Sequence, residues 1–167
     1  MGVVADIGRS FRNGPRVVMR EHMARGQQET RAFAFLMIGC VLVFVAQWPR
    51  LVRVSREEGR EMAQLLAYEM LAWLIIWPLI FYALAGLAHV ISRLAGGQGT
   101  AYGARLALFW SWLAAVPLGL LYGVAAALAG PSLLANLVGA AWIAAFLLFW
   151  ILCQREAGAV EHRSHAA

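Results

Sequence analysis

The residues best suited to chemistry are a glycine-rich stretch, GGQG at 96–99, with Arg93 and Arg105 on either side of it. Backbone N–H groups of such loops can cradle a phosphate. A dinucleotide fingerprint, however, needs glycines at the first, third and sixth positions between a strand and a helix, and a P-loop ends in Gly-Lys followed by Ser or Thr. The glycine intervals here do not match, and the chain has no lysine. Nucleotide binding is therefore not predicted.

The same glycines are typical of a turn between two helices. Gly96 or Gly97 can take the left-handed conformation that ends a helix, and Thr100 can cap the next helix. The N–H groups at the start of that helix, together with Arg93 and Arg105, could bind an anion, and a lipid headgroup is the expected one. The predicted cytosolic turn contains Gly96, Gly97, Gly99 and Gly103.

Other reactive side chains lack a catalytic arrangement. Ser111 lies within an apolar segment without a neighbouring base, and Cys40 and His89 fall on opposite sides of the membrane in the topology given below. No HExxH motif or paired carboxylates occur in the apolar segments. Cys40 and Cys153 have no His or acidic partner at ligand spacing, which indicates two buried thiols. The sequence predicts no catalytic site, no metal site and no cofactor.

The segments that carry these residues are too apolar for a water-soluble domain. Of the 167 residues, 62% are hydrophobic and only 14% are charged, and the mean hydropathy is +0.67. A helix of roughly 17 to 25 apolar residues spans a bilayer. The predicted fold is an all-α membrane protein, a four-span transmembrane helix bundle with a basic N-terminal interfacial segment. The predicted spans are 32–48, 70–92, 106–129 and 131–153.

All 14 basic residues are arginine, and they predict the orientation. Ten of them lie beside the span ends on the side of the N-terminus, and four lie in the loop between spans one and two. The positive-inside rule then places both termini and the glycine turn in the cytoplasm of a bacterial inner membrane. Anionic lipid is the expected partner of these guanidinium groups. Their scatter along the chain is not typical of a nucleic-acid-binding patch.

Three regions follow: a basic cytosolic or interfacial segment at 1–31, the transmembrane domain at 32–153 and a polar C-terminal tail at 154–167. Within the first, Pro15 is placed to open a helix that runs to about Arg25. Val18, Met19, His22 and Met23 share one side of that helix, which indicates either a helix lying in the headgroup plane or a flexible basic tail. The arginines predicted to contact anionic lipid are Arg16, Arg20, Arg93 and Arg105.

Spacing within the spans indicates how the helices pack. Small residues recur every four positions in span three and would allow close helix approach, either within the chain or with a second protein. Pro78 and Pro117 each remove a backbone hydrogen bond and are expected to bend their helices. Trp142, Phe146 and Trp150 form an aromatic stripe that helix or lipid packing explains. The small-residue ridge is Ala115, Gly119, Gly123 and Ala127.

The chain resembles bacterial members of the Yip family of multi-pass membrane proteins over about residues 15–153. The resemblance rests on VAQWPR at the end of span one and on the segment from His89 to Ala107, with its His-x-x-x-Arg, glycine turn and Gly-Ala-Arg-Leu-Ala. It implies a helix-bundle protein that is not an enzyme and that organises membrane or partners. Eukaryotic relatives are associated with Rab GTPases, but the Asp-Leu-Tyr-Gly-Pro segment and the usual fifth span are missing here, so Rab binding is not carried over.

Two functions remain open at this point. The first is a non-enzymatic scaffold or accessory subunit that packs against other membrane proteins and lipid. The second is a small transporter or channel that forms its pathway by oligomerising, with Pro78 and Pro117 as bending points. Its mouth would be formed by Gln47, Glu69 and Asn136, three polar groups at similar depth near the outer ends of their spans.

Overall fold

The computed structural model describes residues 2–97, 99–130 and 132–165, and every regular element in these ranges is helical. Gln98 of the glycine turn, Pro131 at the start of predicted span four, and residues 166 and 167 of the predicted tail lie outside the described residues. The elements are α1 (Val3–Arg12), α2 (Pro15–Ala24), α3 (Glu29–Ala46), α4 (Trp48–Glu58), α5 (Met62–Leu71), a π-helical turn (Ala72–Ile76), α6 (Trp77–Leu94), α7 (Ala101–Ala129) and α8 (Leu133–His165).

Four of the resulting helical segments are long and apolar enough to cross a membrane, which confirms the predicted spans as apolar helices. The helices extend beyond the apolar runs. The first segment continues through α4 to Glu58, and the second begins at Met62 rather than near residue 70. The last helix, α8, does not end with the apolar run at residue 153 but continues to His165. Hydropathy marks the apolar part of a helix, whereas backbone hydrogen bonding continues past it.

The third apolar helix, α7, forms the centre of the bundle. Half of its most apolar window is buried inside the protein, against 11% for α8 and 17% for the α5–α6 segment. It packs against α3, α6 and α8, and Phe109, Trp110 and Leu113 are fully buried. Helices α5 to α6 and α8 therefore leave most of their apolar surface on the outside of the bundle.

A π-helical turn comes immediately before Pro78 in the second apolar segment. The backbone N–H of Trp77 bonds to the carbonyl of Ala72, five residues back. A proline ring clashes with the carbonyl of the fourth residue before it, here Leu74. Because Leu74 lies inside the wider π turn, the helix can continue through the proline position. At the other predicted bend, α7 is a continuous helix through Pro117.

The glycine turn has the local structure that the sequence predicts. Gly96 follows the last residues of α6 with a φ of +81°, and the N–H of Gly97 donates to the carbonyl of Ser92. The Thr100 hydroxyl accepts from the N–H of Gly103 at 3.1 Å, which caps α7. Both assignments made for this turn, a left-handed glycine at the end of α6 and a threonine cap on α7, are confirmed.

The small residues of α7 lie against other helices of the same chain. A Cβ atom built on Gly119 would come within 2.7 Å of the Trp142 ring in α8. A Cβ atom on Gly123 would come within 2.7 Å of the carbonyl oxygen of Ala46 at the end of α3. Ala115 is fully buried, and Ala127 is half-buried. The ridge therefore sets the spacing of α3, α7 and α8.

Replacing Gly123 with alanine is expected to destabilise the bundle by at least about 1 kcal/mol, because a backbone carbonyl cannot move aside as a flexible side chain can. Gly86 in α6 is the matched control, since a Cβ atom there meets nothing within 4 Å. Gly86→Ala should be neutral or slightly stabilising through helix propensity. Thermal denaturation of both variants in one detergent measures the difference, and equal midpoints would contradict the close approach of α3 and α7.

Candidate functional site

The N-terminal segment is folded into two helices that pack on one end of the bundle. Helix α2 begins at Pro15, as predicted, with that proline in its first turn. Val18 and Met19, on the apolar side assigned to the headgroup plane, are instead buried by protein at 1% and 0% exposure. The description of this segment as a flexible tail is wrong for the same reason. Met23 is half-buried and also packs against the core.

The two terminal segments meet at this end of the bundle, which we call the terminal end. The guanidinium group of Arg20 in α2 binds the carboxylate of Glu156 in α8 at 2.8 Å. The thiol of Cys153 lies 3.8 Å from the carbonyl oxygen of Pro15. Cys153 is the last residue of the apolar run and Glu156 lies in the helical continuation past it, so the end of the run and the start of the continuation both support α2.

Four ionisable residues of α1 and α2 form a cluster, which we call the N-terminal polar cluster: Asp6, Arg9, Glu21 and His22. Arg9 donates to Asp6 at 2.9 Å and to the two carboxylate oxygens of Glu21 at 2.6 and 3.0 Å. The hydrogen bond from Arg9 lowers the pKa of Glu21, and the same contact raises the pKa of Arg9. Arg9 thus holds the two helices together with a bidentate bond, the geometry that guanidinium favours with carboxylate.

His22 is the most enclosed member of this cluster. Its ring lies between Phe35 of α3 and Trp110 of α7, with ring centroids 5.1 and 4.6 Å away. Its Nε2 atom is 4.0 Å from the Asp6 carboxylate. Neither ring nitrogen has a hydrogen-bond partner among the described residues. Burial lowers the pKa of His22 to about 4, against the opposing effect of the Asp6 charge, so the ring is neutral at pH 7.

The cluster contains an acid, a base and a cation, and its hydrogen bonds connect helix α1 to helix α2. Asp6 and His22 are each 2% exposed, so protein encloses the pair. The Ser10 hydroxyl donates to the carbonyl of Asp6 within α1. Sequence reasoning missed this cluster, although one signal was present: a histidine lies on the apolar side of α2. A histidine on the apolar side of a helix is buried when that side packs against protein, and burial shifts its pKa.

The four arginines predicted to contact lipid lie in different surroundings. Arg105 binds Glu29 at the start of α3, and Arg20 binds Glu156, so each has a carboxylate partner within the chain. Arg16 and Arg93 are exposed. A fifth arginine, Arg31, donates to the carbonyls of His22 and Gly26 and to the Tyr102 hydroxyl. Lipid contact by the first four remains a prediction.

The polar groups predicted to form a mouth lie toward the opposite end of the bundle, where Glu69 and Asn136 are both near Arg50. Glu69 accepts from the indole N–H of Trp73 at 3.1 Å and lies 3.6 Å from the guanidinium group of Arg50. Asn136 lines a cavity that also contains Arg50. Gln47 is the residue at which α3 ends and α4 begins. We call this region, which includes α4 and the start of α8, the α4 end.

The aromatic stripe of α8 and the remaining reactive side chains lie in packed surroundings. Trp142 and Phe146 both contact Trp112 of α7, with centroids 5.7 and 5.8 Å apart. Ser111 donates to the carbonyl of Ala107 within its own helix at 2.6 Å. Cys40 and Cys153 are buried free thiols. Within the described ranges, no three His, Cys, Asp or Glu side chains are grouped closely enough to hold a metal ion.

The fold defines an all-helical protein with four apolar helices that could span a membrane and a docked N-terminal helical pair. Comparisons with family models, with curated proteins and with solved structures give no match. The resemblance to the Yip family therefore stays a prediction that rests on the quoted sequence segments.

Proposed function

We propose that this chain is a non-enzymatic integral protein of the bacterial inner membrane, where it serves as a scaffold or accessory subunit that packs against other membrane proteins and lipid. Both termini lie in the cytoplasm in this proposal. The arginine distribution supports that orientation, and the contact between Arg20 and Glu156 explains how both terminal segments share one end.

The observation that carries the proposal is the docked N-terminal helical pair. Among the exposed residues of this pair are three arginines, Arg12, Arg16 and Arg25, which together we call the arginine face. Val4, Phe11 and Val17 of the same segment are also exposed. A surface that combines guanidinium groups with apolar side chains suits the boundary between anionic headgroups and water. Because the N-terminal polar cluster and Trp110 hold this surface on the bundle, it can present a fixed binding face to a neighbouring protein.

The experiment is cross-linking of the full chain in its native membrane, followed by mild solubilisation and native mass measurement. We expect species heavier than the monomer that contain a second protein or a second copy. Arg12→Gln combined with Arg16→Gln should reduce their yield, whereas Arg56→Gln, an exposed arginine on α4, should not. A lone monomer in every preparation would contradict the scaffold proposal, and equal yields from both variants would contradict the role of the arginine face.

A further inference from the structure

A cavity of about 290 Å³ lies at the α4 end, where α4, the last turns of α7 and the first turns of α8 meet. Its lining includes two guanidinium groups, one carboxylate, one amide and one phenol. Such a concentration of hydrogen-bonding groups beside apolar helices is typical of a site for a polar ligand. The polar lining residues are Arg50, Arg53, Glu57, Tyr122 and Asn136, and we call the space they enclose the headgroup cavity.

Arg53 is held in place by the end of α7. Its guanidinium group donates to the carbonyl of Ala126, one of the last four carbonyls of α7, which have no partner within the helix. The bond orients the planar group and uses one of its five N–H donors. Gly130, which follows α7, leaves room for the other side of the guanidinium, because a Cβ atom there would lie 3.3 Å from it.

Arg50 lies one helical turn before Arg53, so both project from the same side of α4. Its guanidinium group forms an ion pair with Glu69 at 3.6 Å, a contact that is longer than a hydrogen bond and exposed enough to be exchanged for another anion. The Arg50 side chain is 45% exposed and forms part of the cavity lining. Glu57, one turn beyond Arg53, adds a negative group. The cavity thus offers two forked donors for a phosphodiester and one carboxylate for an ammonium group.

A second, apolar groove of about 410 Å³ adjoins this cavity and shares Tyr122 and Asn136 with it. Gly139, Ala140 and Ile143 continue the groove along α8 at the spacing of one helix face. The Tyr122 ring packs on Gly139, where a Cβ atom would lie 3.1 Å from it, and Trp142 also lines the groove. The small, exposed Ala140 leaves a furrow on the helix surface beside these rings. The groove starts at a polar cavity and follows an apolar helix that could lie in a bilayer.

From this continuity of a cationic cavity with an apolar furrow, we infer that the α4 end binds one glycerophospholipid, with its phosphodiester on Arg50 and Arg53 and one acyl chain along the α7–α8 groove. Glu57 favours a headgroup that carries an ammonium, as in phosphatidylethanolamine. The site rests on the proposed membrane embedding. It is separate from the arginines of the terminal end, since α4 and the start of α8 form it.

The test uses the full chain in mild detergent and native mass measurement with phosphatidylethanolamine as the probe. We expect one tightly retained lipid per chain, with affinity about tenfold lower in Arg50→Gln, because a charge-assisted hydrogen bond is lost. Ala140→Trp should weaken binding as well by filling the groove. Arg56→Gln is the matched control on the same helix, and it should bind like the unmodified chain.

Two soluble probes distinguish a lipid from a free anion. Glycerophosphoethanolamine and inorganic phosphate should bind far more weakly than the lipid, because neither occupies the groove. Equally strong binding of either soluble probe would overturn the inference, and so would unchanged lipid retention in Arg50→Gln and Ala140→Trp. Resistance of the chain to carbonate extraction from membranes is measured in parallel. If carbonate extracted the chain, the membrane proposal itself would be contradicted. If the chain resisted extraction but bound no lipid, only the proposed site would be contradicted.

Discussion

Replacing Trp110 with alanine is expected to lower the free energy of unfolding by about 3 to 5 kcal/mol. The side chain is fully buried and contacts both His22 of α2 and Phe35 of α3. Its removal therefore opens a cavity at the point where the N-terminal helices meet the bundle. Thermal denaturation in detergent measures the loss, and trypsin digestion, which cuts after arginine, should release the N-terminal helices before the apolar core is affected.

Trp48 provides the control for this prediction. It is 46% exposed at the start of α4, so Trp48→Ala should change the midpoint only slightly. If Trp110→Ala and Trp48→Ala denatured at the same temperature, or if trypsin cut both chains at the same rate, the packing of α2 through Trp110 would be contradicted.

Acidification is expected to weaken the docking of the N-terminal helices between about pH 6.5 and pH 4. The folded pKa of His22 is about 4, below its ordinary value of 6.5, so the unfolded chain binds the extra proton in this range. The contribution of neutral His22 to the free energy of unfolding is fully present above pH 6.5 and falls as the pH drops. Since one pKa unit corresponds to about 1.4 kcal/mol, the loss at pH 5 is roughly 2 kcal/mol.

The measurement is the rate of tryptic release of α1 and α2 at pH 7.5 and 5.5, corrected for the activity of trypsin at each pH. His22→Phe keeps a ring between Phe35 and Trp110 but cannot take up a proton, so this variant should lose the dependence between pH 7.5 and 5.5. Asp6, Glu21, Arg25 and Arg31 also act on the His22 charge. If His22→Phe kept the full pH dependence of tryptic release, a group other than His22 would be responsible for that dependence.

The sequence was sufficient for features that depend on neighbouring residues. Apolar runs predict four long helices because lipid-length hydrophobic segments have few other structures available. The turn after α6 follows from Gly96 and Thr100, whose conformational and hydrogen-bonding preferences act within a few residues. The start of α2 at Pro15 is a local signal of the same kind.

Contacts between residues that are distant in the chain could not be predicted from the sequence. Arg20 and Glu156 are 136 positions apart, and nothing in either neighbourhood identifies the other as its partner. The apolar side of α2 has the same pattern whether it faces headgroups or protein, so periodicity alone could not choose between them. The headgroup cavity depends likewise on α4 turning toward the end of α7, where Arg53 reaches the carbonyl of Ala126.

The most direct test of the account is labelling of single introduced cysteines with a membrane-impermeant maleimide, in spheroplasts and in inverted inner-membrane vesicles. The unmodified chain, with its two buried thiols, gives the background. Arg16→Cys should react only in inverted vesicles, Arg56→Cys only in spheroplasts, and Met19→Cys in neither until the protein is denatured. Reaction of positions 16 and 56 from one side, or prompt reaction of position 19, would contradict a four-span protein with its N-terminal helices docked at the cytoplasmic end.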